Sequence, residues 1–316
     1  MAVKVAVLDD YQQVAGEFAD WAGRLPGAEM EFFPEHIADE DALAAALEDA
    51  DVVVAMRERT AFRRRLFERL PRLRLLVTTG MRNAAIDLAA AADAGVTVCG
   101  TRSHPSGTAE LTWALILGLV RGTAAEDARM RAGGWQRTVS PDLDGQVLGI
   151  AGLGRLGAKV AAVGAAFGMD VAAWSPNLTA ERAAEHGARL VGKEELFATS
   201  KVVTLHLVLS DRSRGVVGGP ELSVMRPDAY LVNTSRFGLL DEEALRRALA
   251  SDRPAGVGLD VYPEEPLPAD HWLRTAPRTL LTPHMGYVTE RTYRIFFEDA
   301  VEDVAAFLAG EPVRVL

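Results

Sequence analysis

Two parallel β-sheets, each covered by helices on both faces, are what this sequence predicts: an α/β protein of two doubly wound domains. The first observation behind this is an alternation of short β-branched runs with Ala-rich amphipathic stretches. The second is that the alternation breaks at one long apolar helical stretch and then restarts. The third is length, since 316 residues are many for one domain and comfortable for two.

Taken in order, strands are expected over 3–8, 29–33, 51–55, 74–79 and 96–99, with helices over 39–48, 62–70 and 84–94. Short, nearly continuous apolar runs suit parallel strands buried on both faces. One unbroken helix is expected over 105–131, with Pro105 and Ser106 at its start, Glu110 in its first turns and Gly133-Gly134 after its end. Further strands follow over 146–151, 170–174, 201–206, 229–233, 255–258 and 279–281. Helices fit 155–167, 179–186, 193–198, 241–251 and 289–308, and the Gly/Pro-rich stretch 263–268 is a loop.

Composition excludes more than it selects. A chain 49% hydrophobic and 25% charged builds an ordinary core, which excludes disorder. A single cysteine, Cys99, excludes a disulfide framework and a Cys-based zinc cluster, and no metal is expected. The 34 Lys+Arg against 44 Asp+Glu give a net charge of -10, which argues against nucleic acid or an anionic membrane as partner. The start, MAVKVAVLDDY, lacks the cleavage region of a signal peptide. The longest apolar run, 111–120, is about half a membrane span. A soluble, cytoplasmic protein is expected.

In open parallel sheets, ligands sit at the carboxyl ends of the strands. Those ends carry Asp9-Asp10, Met56-Arg57, Thr79-Gly80-Met81 and Thr101-Arg102 in the first half. In the second half they carry Gly152–Gly157, Ser175, His206, Asn233–Arg236, Asp260 and His284. Both sets are expected to face one cleft. Gly152-Leu-Gly154-Arg155-Leu156-Gly157 follows a strand and opens a helix, the context in which G-x-G-x-x-G binds a dinucleotide. The pyrophosphate would sit on the helix N-terminus. The next strand ends in Ser175, where a NAD site usually has an acid, and no Lys or Arg follows at once. NAD and NADP therefore both stay open, with NAD slightly favoured.

Five segments occur together: Thr108-Ala-Glu-Leu-Thr, the glycine loop, Val232-Asn-Thr-Ser-Arg236, Gly258-Leu-Asp-Val-Tyr-Pro-Glu-Glu-Pro266 and Thr282-Pro-His-Met-Gly286. In this order and spacing the chain resembles the D-isomer-specific 2-hydroxyacid dehydrogenases over essentially its whole length. The resemblance implies Rossmann- and flavodoxin-like domains with an active-site cleft between them. It implies a dinucleotide-binding domain over 103–286 inserted in a substrate domain of 1–102 and 287–316. It also implies a homodimer, to which the long helix contributes. The activity implied is NAD(P)-dependent hydride transfer between a small 2-oxo acid and its D-2-hydroxy acid.

Carried over by motif, the catalytic group is Arg236, Glu265 and His284. The chemistry agrees with each role. Histidine donates and accepts protons near neutrality, and a carboxylate fixes its ring and favours its charged form. An arginine fork grips the substrate carboxylate in a way lysine cannot copy. The resemblance also places Thr108 and Asp260 at the cofactor, and Thr234 and Gly286 in the matched segments are further cofactor candidates. His206, which ends a strand in the cofactor half, is expected either to touch cofactor or to pack. Thr79, Gly80 and Met81 match a loop whose amides receive the substrate carboxylate. Arg57 could meet a second anionic group on the substrate. Phe237 stands where the family has glycine after the arginine, and could wall the pocket. His36 and His271 are expected to be exposed, and Cys99 to be an inert small hydrophobe. Two alternatives remain. One is oxidation of a small anion such as formate or phosphite, against which Glu265 speaks because formate-oxidising relatives carry Gln. The other is a dinucleotide-sensing, corepressor-like regulatory protein.

Overall fold

The structure is a computed structural model and describes residues 2–316. The chain divides into two compact units. The first runs up to His104 and resumes at Val288–Leu316; the second is Pro105–Tyr287.

The first unit is built on β1 (Lys4–Val7), β2 (Glu29–Phe32), β3 (Val52–Ala55), β4 (Leu75–Thr78) and β5 (Thr97–Gly100). All pair in parallel, in the order β2-β1-β3-β4-β5. The inner strands β3 and β4 are buried at every residue, as their sequences VVVA and LLVT demand. The helix Glu290–Leu308 buries Tyr293, Phe296, Phe297, Val301 and Val304, and packs against β4. On β5 the edge is paired by the chain's last residues: Gly100 N–H donates to Arg314 O at 3.0 Å and Leu316 N–H to Val98 O at 2.9 Å. That removes an open sheet edge. Cys99 lies beneath this contact, fully buried, and burial pushes its thiol up to about 11, so it behaves as the expected inert hydrophobe.

The second unit is built on β6 (Val147–Ala151), β7 (Asp170–Trp174), β8 (Arg189–Leu190), β9 (Val202–Leu205), β10 (Tyr230–Asn233), β11 (Gly256–Leu259) and β12 (Thr279–Leu281). The order is β12-β11-β10-β9-β6-β7-β8, again all parallel. The order reverses at β6, which makes its carboxyl end the topological switch point. The predicted α/β class with two doubly wound sheets is what the molecule adopts.

Several features depart from the expected elements, among them a short helix at Trp21–Arg24. The single helix over 105–131 is two, Ser106–Arg121 and Thr123–Arg131. Gly122 separates them in the left-handed conformation (φ 62°), donating to Gly118 O and Leu119 O as a helix terminator does. The first of the pair buries Trp113, Leu115, Ile116 and Val120, whereas the second buries nothing. The edge strand β8 was not expected, being two exposed residues without a pattern. The helix Gly219–Val224 was not expected either; its start is Gly218-Gly219-Pro220, and Gly218 N–H is capped by Glu221 Oε2 at 2.8 Å.

Candidate active site

In the second unit, the predicted residues stand along the carboxyl edge of one parallel sheet. From one side to the other, β12 leads to His284, β11 to Asp260, β10 to Asn233–Arg236, β9 to His206, β6 to the glycine loop and β7 to Ser175. Neighbouring strands are about 4.8 Å apart, so this edge extends for roughly 24 Å.

The glycine loop fits a dinucleotide on three counts. Gly152 has φ 105°, and a Cβ there would lie 2.7 Å from the His206 carbonyl carbon. A Cβ on Gly157 would overlap the Gly152 carbonyl oxygen, so only glycine lets this helix approach its strand. Gly154, by contrast, is exposed and faces nothing within 4 Å. The crowded positions shape the turn and the open one leaves room for a ligand. The helix Arg155–Ala166 that follows has no side-chain cap, so its N-terminus presents unsatisfied N–H groups to an anion. Arg155 is exposed and Leu156 half-buried.

Beside this turn, His206 Nε2 meets Thr204 Oγ1 at 3.0 Å, while Nδ1 is sealed from solvent and has no hydrogen-bond partner. Burial pushes this imidazole down to about 4, so the ring is neutral at neutral pH. Ser175 and Asn177 follow β7 without a charged neighbour in the loop. Thr108 donates to Gly286 O at 3.1 Å. Thr112 donates to Thr108 O at 2.8 Å and so accepts from Thr234 Oγ1, also at 2.8 Å, because a hydroxyl has one proton. These threonines tie the helix Ser106–Arg121 to the turns after β10 and β12.

His284 adopts φ 50°, an uncommon conformation for a side-chain-bearing residue that its surroundings must hold. Asp260, buried after β11, provides the hold. Its Oδ1 accepts from Thr282 Oγ1 at 2.6 Å and Met285 N–H at 2.8 Å, and its Oδ2 from Gly286 N–H at 2.9 Å. Burial raises the Asp260 carboxyl above its usual range, and these donors work against that rise.

His284 Nδ1 and Glu265 Oε2 form a short hydrogen bond. The other oxygen, Oε1, accepts from Tyr262 N–H at 2.9 Å. Glu264, next in sequence, is exposed. Tyr287 stacks edge-on against the imidazole with ring centroids 5.5 Å apart. Arg236 follows β10, its Nη1 donating to Ser235 O at 2.8 Å, and its carbonyl accepts from Asn233 Nδ2 at 3.0 Å. Phe237 does not wall a pocket. It is 5% exposed and packs into the hydrophobic core with Leu239 and Leu240. It has no positive φ, so nothing in this turn requires the glycine the family pattern has.

In the first unit the loop after β4 is largely occupied by its own bonds. Thr79 N–H donates to Ala55 O at 3.0 Å and Gly80 N–H to Thr101 Oγ1 at 2.8 Å. Of the three amides expected to receive an anion, only that of Met81 has no such internal acceptor. Arg57, with φ 52°, donates through its backbone N–H to Thr79 Oγ1 at 2.8 Å and through Nη1 to Thr79 O at 2.9 Å. Its guanidinium lies so close over Gly80 that a Cβ there would overlap it. His36 and His271 are not exposed. His36 pairs with buried Asp9 at 2.9 Å, and His271 lies 3.3 Å from Glu242 while accepting from Leu273 N–H. Acidic neighbours distant in sequence drew both rings in. Of the supporting tyrosines, Tyr262 had no sequence signal beyond lying within the matched segment Gly258–Pro266, and Tyr287 lies just outside Thr282–Gly286 with none. Among the described residues, no group of three or more His, Cys, Asp or Glu could hold a metal ion.

Comparison with known proteins gives the family. Residues 113–286 match the family model for the D-isomer specific 2-hydroxyacid dehydrogenase NAD-binding domain. A glyoxylate reductase of Aeropyrum pernix is 35% identical over 78% of this chain and 76% of its own. A D-3-phosphoglycerate dehydrogenase of Methanocaldococcus jannaschii is 33% identical over 85% of this chain, which spans 52% of that longer protein. Among solved structures, a phosphoglycerate oxidoreductase from Vibrio cholerae superposes with a TM-score of 0.93 at 36% identity, covering 98% of this chain and 99% of that one. A D-lactate dehydrogenase from Aquifex aeolicus, complexed with NAD and lactic acid, gives 0.79 at 25% identity, covering 98% and 96%. The chain therefore belongs to the D-isomer-specific 2-hydroxyacid dehydrogenase family and is an oxidoreductase with a nicotinamide-dinucleotide-binding domain.

Proposed function

We propose that this enzyme reduces a small 2-oxo acid to its D-2-hydroxy acid and catalyses the reverse oxidation. The observation that carries the reading is the Glu265–His284 pair. With Nδ1 held by the carboxylate, Nε2 is left to give a proton to the substrate oxygen or take it back. Bound cofactor supplies the hydride. Arg236 binds the substrate carboxylate and polarises the oxo group. In the first unit, the Met81 amide and Arg57 bind the acid, with Thr79 and Gly80 shaping their loop. Arg57 suits a second anionic group, as the likeness to phosphoglycerate dehydrogenases also suggests.

On the cofactor side, Gly152, Gly154, Arg155, Leu156 and Gly157 hold the pyrophosphate, and Ser175 the adenosine ribose. Thr108, Thr234, Asp260 and Gly286 frame the nicotinamide end, and His206 Nδ1 is a buried donor or acceptor beside it. NAD is favoured over NADP, because no cation follows Ser175 to meet a 2′-phosphate. A panel assay tests the reading. NADH and NADPH oxidation is followed with glyoxylate, hydroxypyruvate, phenylpyruvate and phosphate-bearing 2-oxo acids, expecting turnover with NADH on at least one. Tight NADH binding with turnover on none would favour a dinucleotide sensor.

A second copy of the chain covers the helix Thr123–Arg131 in this reading. That helix buries none of its own residues, and Met130, Trp135 and Val139 in and after it are 54%, 71% and 98% exposed. Light scattering should give a dimer mass for the native protein and a monomer mass for Trp135→Asp; a monomeric native protein would remove this part. Among the described residues no helix is long and apolar enough to cross a membrane, and we assign a cytoplasmic setting.

A further inference from the structure

The Glu265–His284 pair joins two separate loops, one after β11 and one after β12, and something must set their relative position. Two residues after β11, Asp260 and Tyr262, reach the loop after β12, and Tyr262 also bonds Glu265 itself. The Tyr262 backbone N–H donates to Glu265 Oε1 at 2.9 Å. Its side-chain hydroxyl reaches the other loop, lying 2.8 Å from Thr282 O and 3.2 Å from Leu259 O. Thr282 O is also the acceptor of His284 N–H at 3.0 Å, so the hydroxyl grips the same carbonyl that closes the turn at His284. Burial raises the phenol further above its ordinary value, which keeps it a donor.

We propose that Tyr262 is a positioning residue, whose hydroxyl sets the register between the Glu265 carboxylate and the His284 imidazole. The inference rests on the proposed role of His284 in proton transfer. A group that reaches the His284 backbone through a shared carbonyl matters because small displacements of a proton donor carry large rate penalties. Asp260 holds the same loop from its other side, through Met285 and Gly286, but makes no contact with Glu265. What sets Tyr262 apart from Asp260 is that it bonds Glu265 directly while its hydroxyl holds Thr282 O at the His284 turn.

Tyr262→Phe removes the hydroxyl and keeps the ring. It orphans no acceptor, because Leu259 O also accepts from Thr282 N–H at 2.9 Å and Thr282 O from His284 N–H. The variant should fold, bind NADH as the native protein does, and keep its KM for the 2-oxo acid. Its kcat should fall on the order of tenfold, the scale of a lost orienting contact. A double-mutant cycle separates positioning from general loosening. In a Glu265→Gln background the same substitution should change kcat less than twofold, because the pair it aligns is already broken. Equal fold-losses in both backgrounds, or native kcat in Tyr262→Phe, would overturn the proposal. If Tyr262→Phe fails to fold, Tyr262→His is measured in the same cycle and read by the same criteria. His284→Asn is the control: if it retains turnover, the reading of His284 fails and not the assignment of Tyr262 alone.

Discussion

Two sheets of the same class, in one chain, use their carboxyl edges differently. In the second unit, functional side chains are held in place with groups left over: Gly154 faces open space, His206 Nδ1 is unpartnered and Glu265 leaves one imidazole nitrogen unbound. In the first unit, the corresponding edge is bound largely to itself. Asp9 accepts from Thr60 Oγ1 at 2.8 Å and pairs with His36, Gly80 N–H is taken by Thr101, and Arg57 lies along Thr79. Both edges contain left-handed residues that bear side chains, Asp9 and Arg57 in one and His284 in the other. In the proposed reaction, this difference separates the edge that does the chemistry from the edge that supports it. Strain and satisfied bonds build a rigid loop, and reactivity appears only where a polar atom is aimed and left unused.

This contrast can be broken or sharpened by substitution. The largest effect belongs to the second unit. Arg236→Lys should lower kcat and raise KM together, for roughly a hundredfold loss in kcat/KM, because an ammonium cannot reproduce a bidentate fork. A native profile in steady-state assays would take Arg236 out of the site. Next comes the glycine loop. Gly154 has φ -95°, which alanine accepts, and nothing nearby to clash with. Gly154→Ala should melt like the native protein while its Kd for NADH, by fluorescence titration, rises about tenfold as the methyl crowds the pyrophosphate. Gly157→Ala should instead cost stability, about 1–3 kcal/mol, through overlap with Gly152.

A smaller effect is expected in the first unit. Arg57→Met should raise KM roughly fivefold for phosphate-bearing 2-oxo acids and leave that for glyoxylate nearly unchanged. Equal changes for both would show that Arg57 only supports its loop. A further effect is a pH slope. His206 is held down at about 4, below the unfolded value near 6.5, so protons favour the unfolded chain between these values. Stability contributed by the neutral ring is complete above pH 6.5 and lost as pH falls towards 4. Urea midpoints should decline over this window, and His206→Gln should flatten the decline.

The strands were readable because burial on both faces writes them as unbroken apolar runs, as in Val52–Ala55. The break at Gly122 was not, because one glycine in a helical pattern is tolerated unless its backbone turns left-handed, and only the fold decides that. Arg236, Glu265 and His284 were readable as motif residues. How Tyr262 bridges Glu265 and Thr282 was not, because it depends on the register of β11 against β12, which pairs Leu259 with Leu281. The same holds for Phe237, which reads as a wall from its place beside Arg236 and proves to be core. The Gly80 amide was unreadable for a similar reason, since its acceptor, Thr101, lies 21 residues further on.

In the proposed reaction, proton transfer resides in His284 while cofactor binding resides in the glycine loop. Measuring NADH affinity and single-turnover NADH oxidation on one preparation of His284→Asn tests it most directly. Kd should be unchanged and the hydride-transfer rate lower by about 10²–10⁴, the usual worth of a general acid. Unchanged oxidation of NADH, with unchanged affinity, would contradict it.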